Sequence, residues 1–118
     1  MGRLIVLPFP PSINHYWRTV RGRTLLSAKG RTYRGLCFAA CLAERPVRFG
    51  AEPIVVVVAA YMPDLRRRDL DNMFKAPLDA LGHAGVYADD SQIHDLRIYR
   101  AGIDRANPRL EITIEAAA

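Results

Sequence analysis

Two apolar rhythms run through the chain, one with the period of strands and one with the period of helices. Arg3 to Leu7 is a short aliphatic run cut off by Pro8. Pro8, Pro10 and Pro11 then force an extended or turning path, because proline fixes φ and restricts its predecessor. Arg18 to Leu26, centred on Arg21-Gly22-Arg23, reads as a basic loop or hairpin. Ser27 is a suitable cap for a helix running to about Arg45 and stopped by Pro46, with Leu36, Cys37, Ala40 and Cys41 on one face. Pro53 to Tyr61 contains an isoleucine followed by four valines without alternation, which predicts a central strand covered on both faces, ended by Pro63. From about Leu70 to Leu81 the stripe Leu70, Met73, Phe74, Pro77, Leu78 and Leu81 predicts an amphipathic helix. Pro77 is expected to kink that helix after its first two turns, and Gly82 and Gly85 to close it. Gln92 to Tyr99 reads as a strand. In the last strand Leu110, Ile112 and Ile114 alternate with Glu111, Thr113 and Glu115, leaving one wet face. The order β-α-β-α-β-β predicts an α+β fold, a mixed sheet of about four strands with two helices packed on it.

Length changes this picture little: 118 residues make one domain with one modest core. No apolar run approaches the roughly 20 residues of a membrane-spanning helix, and no partner membrane is expected. The N-terminus is interrupted too soon by prolines to be a signal peptide, so an intracellular, cytoplasmic protein is expected. Cys37 and Cys41 lie four apart in the first long helix, where a disulfide is geometrically poor and no zinc quartet is available, so reduced core thiols are expected. His15, His83 and His94 have no metal-ligand spacing and read as structural.

Charge changes it more. The net charge is +5, from seventeen Lys and Arg against twelve acids. Six basic residues and no acid lie between Arg18 and Arg34, and Arg66, Arg67 and Arg68 form a second block. Arg97, Arg100, Arg105 and Arg109 make a looser third. Only Lys29 and Lys75 are lysines. An arginine-rich surface favours phosphate, held by a planar fork that also stacks on bases, and so favours nucleic acid.

The segment from Asp64 to Lys75 carries the candidate chemistry. Asp69 and Asp71 stand two apart where the second helix is expected to begin. Within a helix such a pair diverges, but a first residue that is not yet helical can turn toward the same site. Lys75 falls one turn beyond Asp71, and Asp79 one turn beyond that. A second pair, Asp89-Asp90, precedes the next strand. One explanation is that Asp69 caps the helix and Asp71 favours its dipole. The other is that magnesium, a hard cation seeking carboxylate oxygens, sits on a phosphodiester held by the arginines, with Lys75 orienting water or neutralising charge. Asp-x-Asp also occurs in nucleotide-sugar transferases, but no glycine-rich phosphate loop or room for a nucleotide-binding sheet exists here.

The sequence resembles the RusA family of Holliday-junction resolvases of bacteria and their phages over nearly its whole length. Pro10-Pro11-Ser12, Asn14 and Tyr16 match its N-terminal signature, and Arg21-Gly22-Arg23-Thr24, Ser27 and Gly30 its next block. Met62-Pro63-Asp64, Arg66 to Asn72, Lys75, Asp79-Ala80-Leu81, and Asp89-Asp90 with Gln92 follow in register. The resemblance implies a homodimer that binds four-way branched DNA and makes paired symmetrical nicks with magnesium or manganese. It implies Asp69, Asp71 and Asp90 as catalytic metal ligands, with Lys75 beside them. Arg18, Arg21, Arg23, Lys29, Arg66, Arg67, Arg68 and Asn72 are the expected DNA contacts. Pro77 and the compact Gly82-His83-Ala84-Gly85 connection depart from the family pattern. Phe9, Tyr16 and Trp17 are open between stacking on unpaired bases and a core or interface role, and Asp64, Asp79 and Asp89 between supporting groups and none. A non-catalytic DNA-binding module, in which the arginines hold backbone and the aspartates only cap, is the competing class.

Overall fold

A computed structural model describes residues 3–44 and 48–117. Its strands are β1 (Arg3–Pro8), β2 (Trp17–Val20), β3 (Arg23–Leu26), β4 (Ile54–Met62), β5 (Ile93–Ile103) and β6 (Arg109–Ala116). Its helices are the single turn α1 (Ile13–Tyr16), α2 (Ala28–Glu44) and α3 (Lys75–His83). Four strands form one sheet in the order β1-β6-β4-β5, in which β4 and β5 are parallel and the other neighbours antiparallel. The sheet is therefore mixed and the fold α+β, as expected. Between β1 and α2 lie α1, which the expected order lacks, and the β2–β3 hairpin, which bears out the reading of Arg18 to Leu26 as a loop or hairpin though its strands were not counted in that order.

The parallel β4–β5 pair follows from its connection, since a parallel return needs a crossover and α3 supplies it. Both long helices cover the same face of the sheet. Ile5, Leu7, Val56, Val58, Leu110, Ile112 and Ile114 point into that core from the strands, and Tyr33, Cys37, Cys41, Leu78 and Leu81 meet them from the helices. The alternation of β6 holds: its three aliphatic residues are buried while Glu111 and Thr113 stay half-buried and Glu115 exposed. The valine run was expected to be covered on both faces, and here the structure differs. Along β4, Ile54, Val56 and Val58 are buried, but Val55, Val57 and Tyr61 are only half-buried. An apolar run marks a central strand, and β4 is one; it does not say that helices lie on both sides.

Ser27 caps α2 as expected, its Oγ accepting the Gly30 N–H at 2.9 Å. The helix is described to Glu44, so the expected end at Arg45 and Pro46 lies outside the described residues. Its core stripe is Gly30, Tyr33, Cys37 and Cys41; Leu36, expected on that face, is exposed. The reason is a close crossing: a Cβ on Gly30 would stand 2.4 Å from the Tyr16 carbonyl oxygen. That approach turns the glycine side of the helix inward. Both cysteines are buried free thiols, and burial pushes Cys37 up to about 12 and Cys41 upward as well.

The single helix expected over 70–81 is two pieces. A 3₁₀ turn spans Leu70–Asn72, Met73 and Phe74 break the rhythm, and α3 starts at Lys75. Pro77 is thus the third residue of α3, where its missing N–H would have had no helical partner, so it does not kink the helix. The first helical bond runs from Leu78 N–H to the Phe74 carbonyl at 3.0 Å. At the other end Gly85 takes φ 80°, with Gly85 N–H on the Gly82 carbonyl and Val86 N–H on the Leu81 carbonyl. This is a Schellman stop, and it needs glycine at that φ. Gly82 lies inside the helix, against the Tyr87 ring.

Candidate active site

The segment after β4 is folded by its own charges. Asp64 accepts the Arg66 N–H at 2.9 Å and the Arg68 guanidinium at 2.6 and 3.3 Å. The hydrogen bonds from Arg68 and then Arg66 hold the Asp64 carboxyl down at about 2. Arg100 Nη2 reaches across from β5 to the Arg68 carbonyl at 2.6 Å. Arg68 also lies over the Phe9 ring, 5.5 Å from its centroid. With these restraints the exposed Arg66 and Arg67 face outward, and Asp69 arrives in extended conformation at the head of the 3₁₀ turn.

Asp69 sits in the cap position but its side chain caps nothing. The turn closes through the backbone, Asn72 N–H to the Asp69 carbonyl at 3.1 Å and Met73 N–H to the Leu70 carbonyl at 3.0 Å. Among the described residues, neither the Asp69 nor the Asp71 carboxylate accepts a hydrogen bond or pairs with a cation. The helix-capping explanation of Asp69 fails on this point. A cavity of about 670 Å³ opens beside it, lined by Arg66, Arg67, Arg68, Asp69 and Asn72 on one side and by Phe9 to Ser12 and His15 on the other.

A second group of carboxylates gathers at the far end of α3. Asp79 accepts the Tyr16 hydroxyl and is gripped by Arg34, Nε at 3.2 Å and Nη2 at 2.8 Å. Burial, then the hydrogen bond to Asp79, pushes the Tyr16 phenol far above its ordinary range. Asp89 is used in a capping box: its carboxylate accepts the Ser91 N–H at 2.9 Å, and Gln92 Oε1 accepts the Ala88 and Asp89 N–H groups at 2.8 Å. The Ser91 hydroxyl also donates to this carboxylate, and that bond and then the Ser91 N–H hold the Asp89 carboxyl below its ordinary value. Asp90 differs. The buried Tyr87 hydroxyl lies between the Leu78 carbonyl and Asp90 Oδ1, 3.0 Å from the latter, and shares its one proton between them. The Asp90 Oδ2 has no partner among the described residues. Burial and then the Asp90 charge raise the Tyr87 phenol. Arg34, Asp79, His83, Tyr87, Asp89 and Asp90 line a cavity of about 300 Å³.

Asp69 and Asp90 therefore border separate cavities, and Asp71 borders neither. Among the described residues no three His, Cys, Asp or Glu side chains stand close enough to make a ready-formed metal cage. Lys75 is exposed at the start of α3; with the helix broken at 73–74 it is no longer one helical turn beyond Asp71, as the continuous helix implied. Of the expected DNA contacts, Arg18, Arg21, Arg23, Lys29, Arg66, Arg67 and Asn72 are exposed, whereas Arg68 is half-buried and engaged with Asp64. Tyr16 is fully buried and Trp17 packs edge-on against it at 4.9 Å, which gives Tyr16 a core role and not a base-stacking one. Tyr87, Arg34 and the Tyr16 hydroxyl were not anticipated as part of the site; Arg34 and Tyr16 meet Asp79 from 45 and 63 residues away, while Tyr87 stands three residues before Asp90 and its spacing alone was the available signal.

The family model for endodeoxyribonuclease RusA matches residues 8–115. The chain belongs to the RusA family. Within that family it is 44% identical over 111 residues to the crossover junction endodeoxyribonuclease RusA of Escherichia coli (strain K12), covering 93% of this chain and 91% of that protein. The same identity and coverage relate it to the RusA of Enterobacteria phage 82, and the Shigella sonnei RusA is 43% identical. The RusA match spans every described element except the first residues of β1 and the end of β6, so the loop of Asp64 to Asn72, Lys75 and Asp89-Asp90 all lie inside it. Membership makes this the scaffold of an endodeoxyribonuclease. No helix among the described residues is long and apolar enough to cross a membrane.

Proposed function

We propose that the protein is a magnesium-dependent endodeoxyribonuclease that resolves four-way DNA junctions by paired symmetrical nicks during recombination and repair, acting as a homodimer in the bacterial cytoplasm. The observation that carries this reading is the division of labour among six aspartates. Asp64, Asp79 and Asp89 are engaged by arginine, tyrosine or backbone donors. Asp69, Asp71 and one oxygen of Asp90 are without such partners among the described residues. Exposed carboxylates kept free of partners are available to a cation, and Asp69 shares its cavity with the exposed Arg66 and Arg67, which suit a phosphate.

The donor set fits magnesium or manganese: exposed hard carboxylate oxygens and no thiolate, the lining imidazoles of His15 and His83 being one to each cavity. Asp69, Asp71 and Asp90 would hold the ion, which when bound supplies charge stabilisation at the phosphate and eases deprotonation of the attacking water. Arg66, Arg67 and Asn72 bind the backbone flanking the cut. Tyr87 orients Asp90 by holding one of its oxygens, and Lys75 neutralises charge developing on the phosphate. A two-fold dimer suits a nearly two-fold substrate, since one axis presents two sites to two strands. The half-covered face of the sheet, with Val55, Val57, Tyr61 and Tyr99, supports pairing with a second copy.

Labelled four-way junction and linear duplex of the same sequence, each with and without magnesium, test the proposal, with Asp71→Asn as control. Paired nicks on the junction alone, needing the metal and lost in the variant, are expected. One observation favours a second reading, junction binding without cutting: Asp69 and Asp90 border different cavities. Tight junction binding with no cutting under either metal would establish that reading instead.

A further inference from the structure

The β2–β3 hairpin is built against the usual preferences at three points. Its two-residue turn has positive φ at both positions, 51° at Arg21 and 74° at Gly22. That is the backbone of a type I′ turn, where Asn, Asp and Gly are favoured because a longer side chain is strained. Gly22 meets the requirement and Arg21 does not; among the described residues it is the one non-glycine at positive φ.

The register sets the second point. Trp17 faces Leu26 and Thr19 faces Thr24 on one side of the hairpin, and Arg18 faces Leu25 and Val20 faces Arg23 on the other. At the base Trp17 and Leu26 pack on the core. Beyond it the side continuing from the core carries threonines, while the opposite side carries Val20 and Leu25, diagonal neighbours that are 39% and 38% exposed. Burial would have chosen the reverse. The third point is charge: Arg18, Arg21 and Arg23 surround that aliphatic pair, and no acidic residue precedes Glu44 in the chain.

The hairpin also stands beside the site. It starts two residues after His15, which lines the Asp69 cavity. Ser27 fastens its base, its N–H donating to the Tyr16 carbonyl at 2.9 Å and its hydroxyl donating to the same carbonyl at 2.9 Å. We infer that this hairpin is the element that distinguishes a DNA branch point from continuous duplex. Its arginines hold phosphates where the strands exchange, and the Val20–Leu25 pair covers the base-pair face that a junction exposes and a continuous duplex keeps stacked. The inference rests on the junction substrate proposed above.

The test compares affinities for four-way junction and for duplex at one salt concentration, in calcium so that nothing is cut, together with the melting temperature of each variant. Arg21→Asn suits the turn better than arginine, so it is expected to melt at the wild-type temperature or above while losing about tenfold in junction affinity. The double change Val20→Ser with Leu25→Ser is expected to lose a similar factor, with duplex affinity within about twofold of wild type for both. Arg66→Gln with Arg67→Gln weakens both ligands together. Hairpin variants that keep full junction affinity, or that lose junction and duplex in parallel, overturn the inference and leave the junction reading standing. A wild-type protein that binds junction and duplex equally overturns both.

Discussion

Asp79 and Asp69 should respond to truncation in opposite ways. Asp79→Ala removes the acceptor of the Tyr16 hydroxyl, on a side chain with no exposed surface, and one end of the Arg34 ion pair. A buried hydroxyl left unsatisfied costs about 1–3 kcal/mol. The ion pair is about a quarter exposed on each side, 27% and 28%, so screening limits its share to about 0–1 kcal/mol. The sum, about 1–4 kcal/mol, should lower the melting temperature by roughly 4–16 °C in a domain of this size. Asp69→Ala removes a carboxylate that caps nothing, so stability should stay within about 0.5 kcal/mol of wild type, while magnesium-dependent junction cutting disappears. Thermal melts followed by circular dichroism, paired with the junction-cutting assay on the folded fraction, measure both. An Asp79→Ala protein that melts within 2 °C of wild type, or an Asp69→Ala protein that loses about 1 kcal/mol as a missing cap would, would refute the division of the aspartates on which the site rests.

Three further outcomes follow from single contacts. The Asp64 carboxyl is held at about 2 by Arg68, so its charged form is favoured in the fold; its contribution is complete above the ordinary carboxylate value and is lost as pH falls from about 4 to about 2. The urea midpoint of wild type minus that of Asp64→Asn should therefore shrink across that window, and a difference independent of pH would contradict the pairing. Gly30→Ala places a Cβ 2.4 Å from the Tyr16 carbonyl oxygen, and the clash of about 1–3 kcal/mol should exceed the roughly 1 kcal/mol gained in helix propensity; an equally or more stable variant in urea unfolding would show that the crossing can relax. Tyr87→Phe frees Asp90 Oδ1, and the magnesium concentration giving half-maximal cutting should rise about tenfold with junction affinity unchanged; an unaltered metal titration would remove Tyr87 from the site.

Elements with a strong local signal were legible before the structure. The alternation of β6 and the valine run of β4 each state their own conformation, and Ser27 marks the start of α2. Other features depend on partners far along the chain. An apolar stripe that includes Pro77 looks the same whether the proline is mid-helix or third in a new helix, and only the break at Met73–Phe74 decides. Leu36 and Tyr33 are both plausible inward residues of α2, and the choice is made by Gly30 crossing Tyr16, which belongs to a separate element. The site divides similarly. The sequence pattern isolated Asp69, Asp71, Asp89, Asp90 and the arginines, but which aspartates are engaged depends on Arg34 and Tyr16, 45 and 63 residues from Asp79. Carboxylates that look alike in sequence are separated only by what reaches them in the fold.

Pro77 fixes a mechanical boundary. Were the helix to extend backward through Phe74 and Met73, the proline ring would collide with the Met73 carbonyl, so the turn holding Asp69 and Asp71 cannot be absorbed into α3. Met73, buried at the joint, anchors the turn to the core. The turn is thus a separate piece with its own fastenings: its backbone hydrogen bonds close it, Leu70 packs on the core beside Met73, and Arg100 holds the Arg68 carbonyl just before it. The position of the acidic turn and the stiffness of α3 are thereby set by different residues.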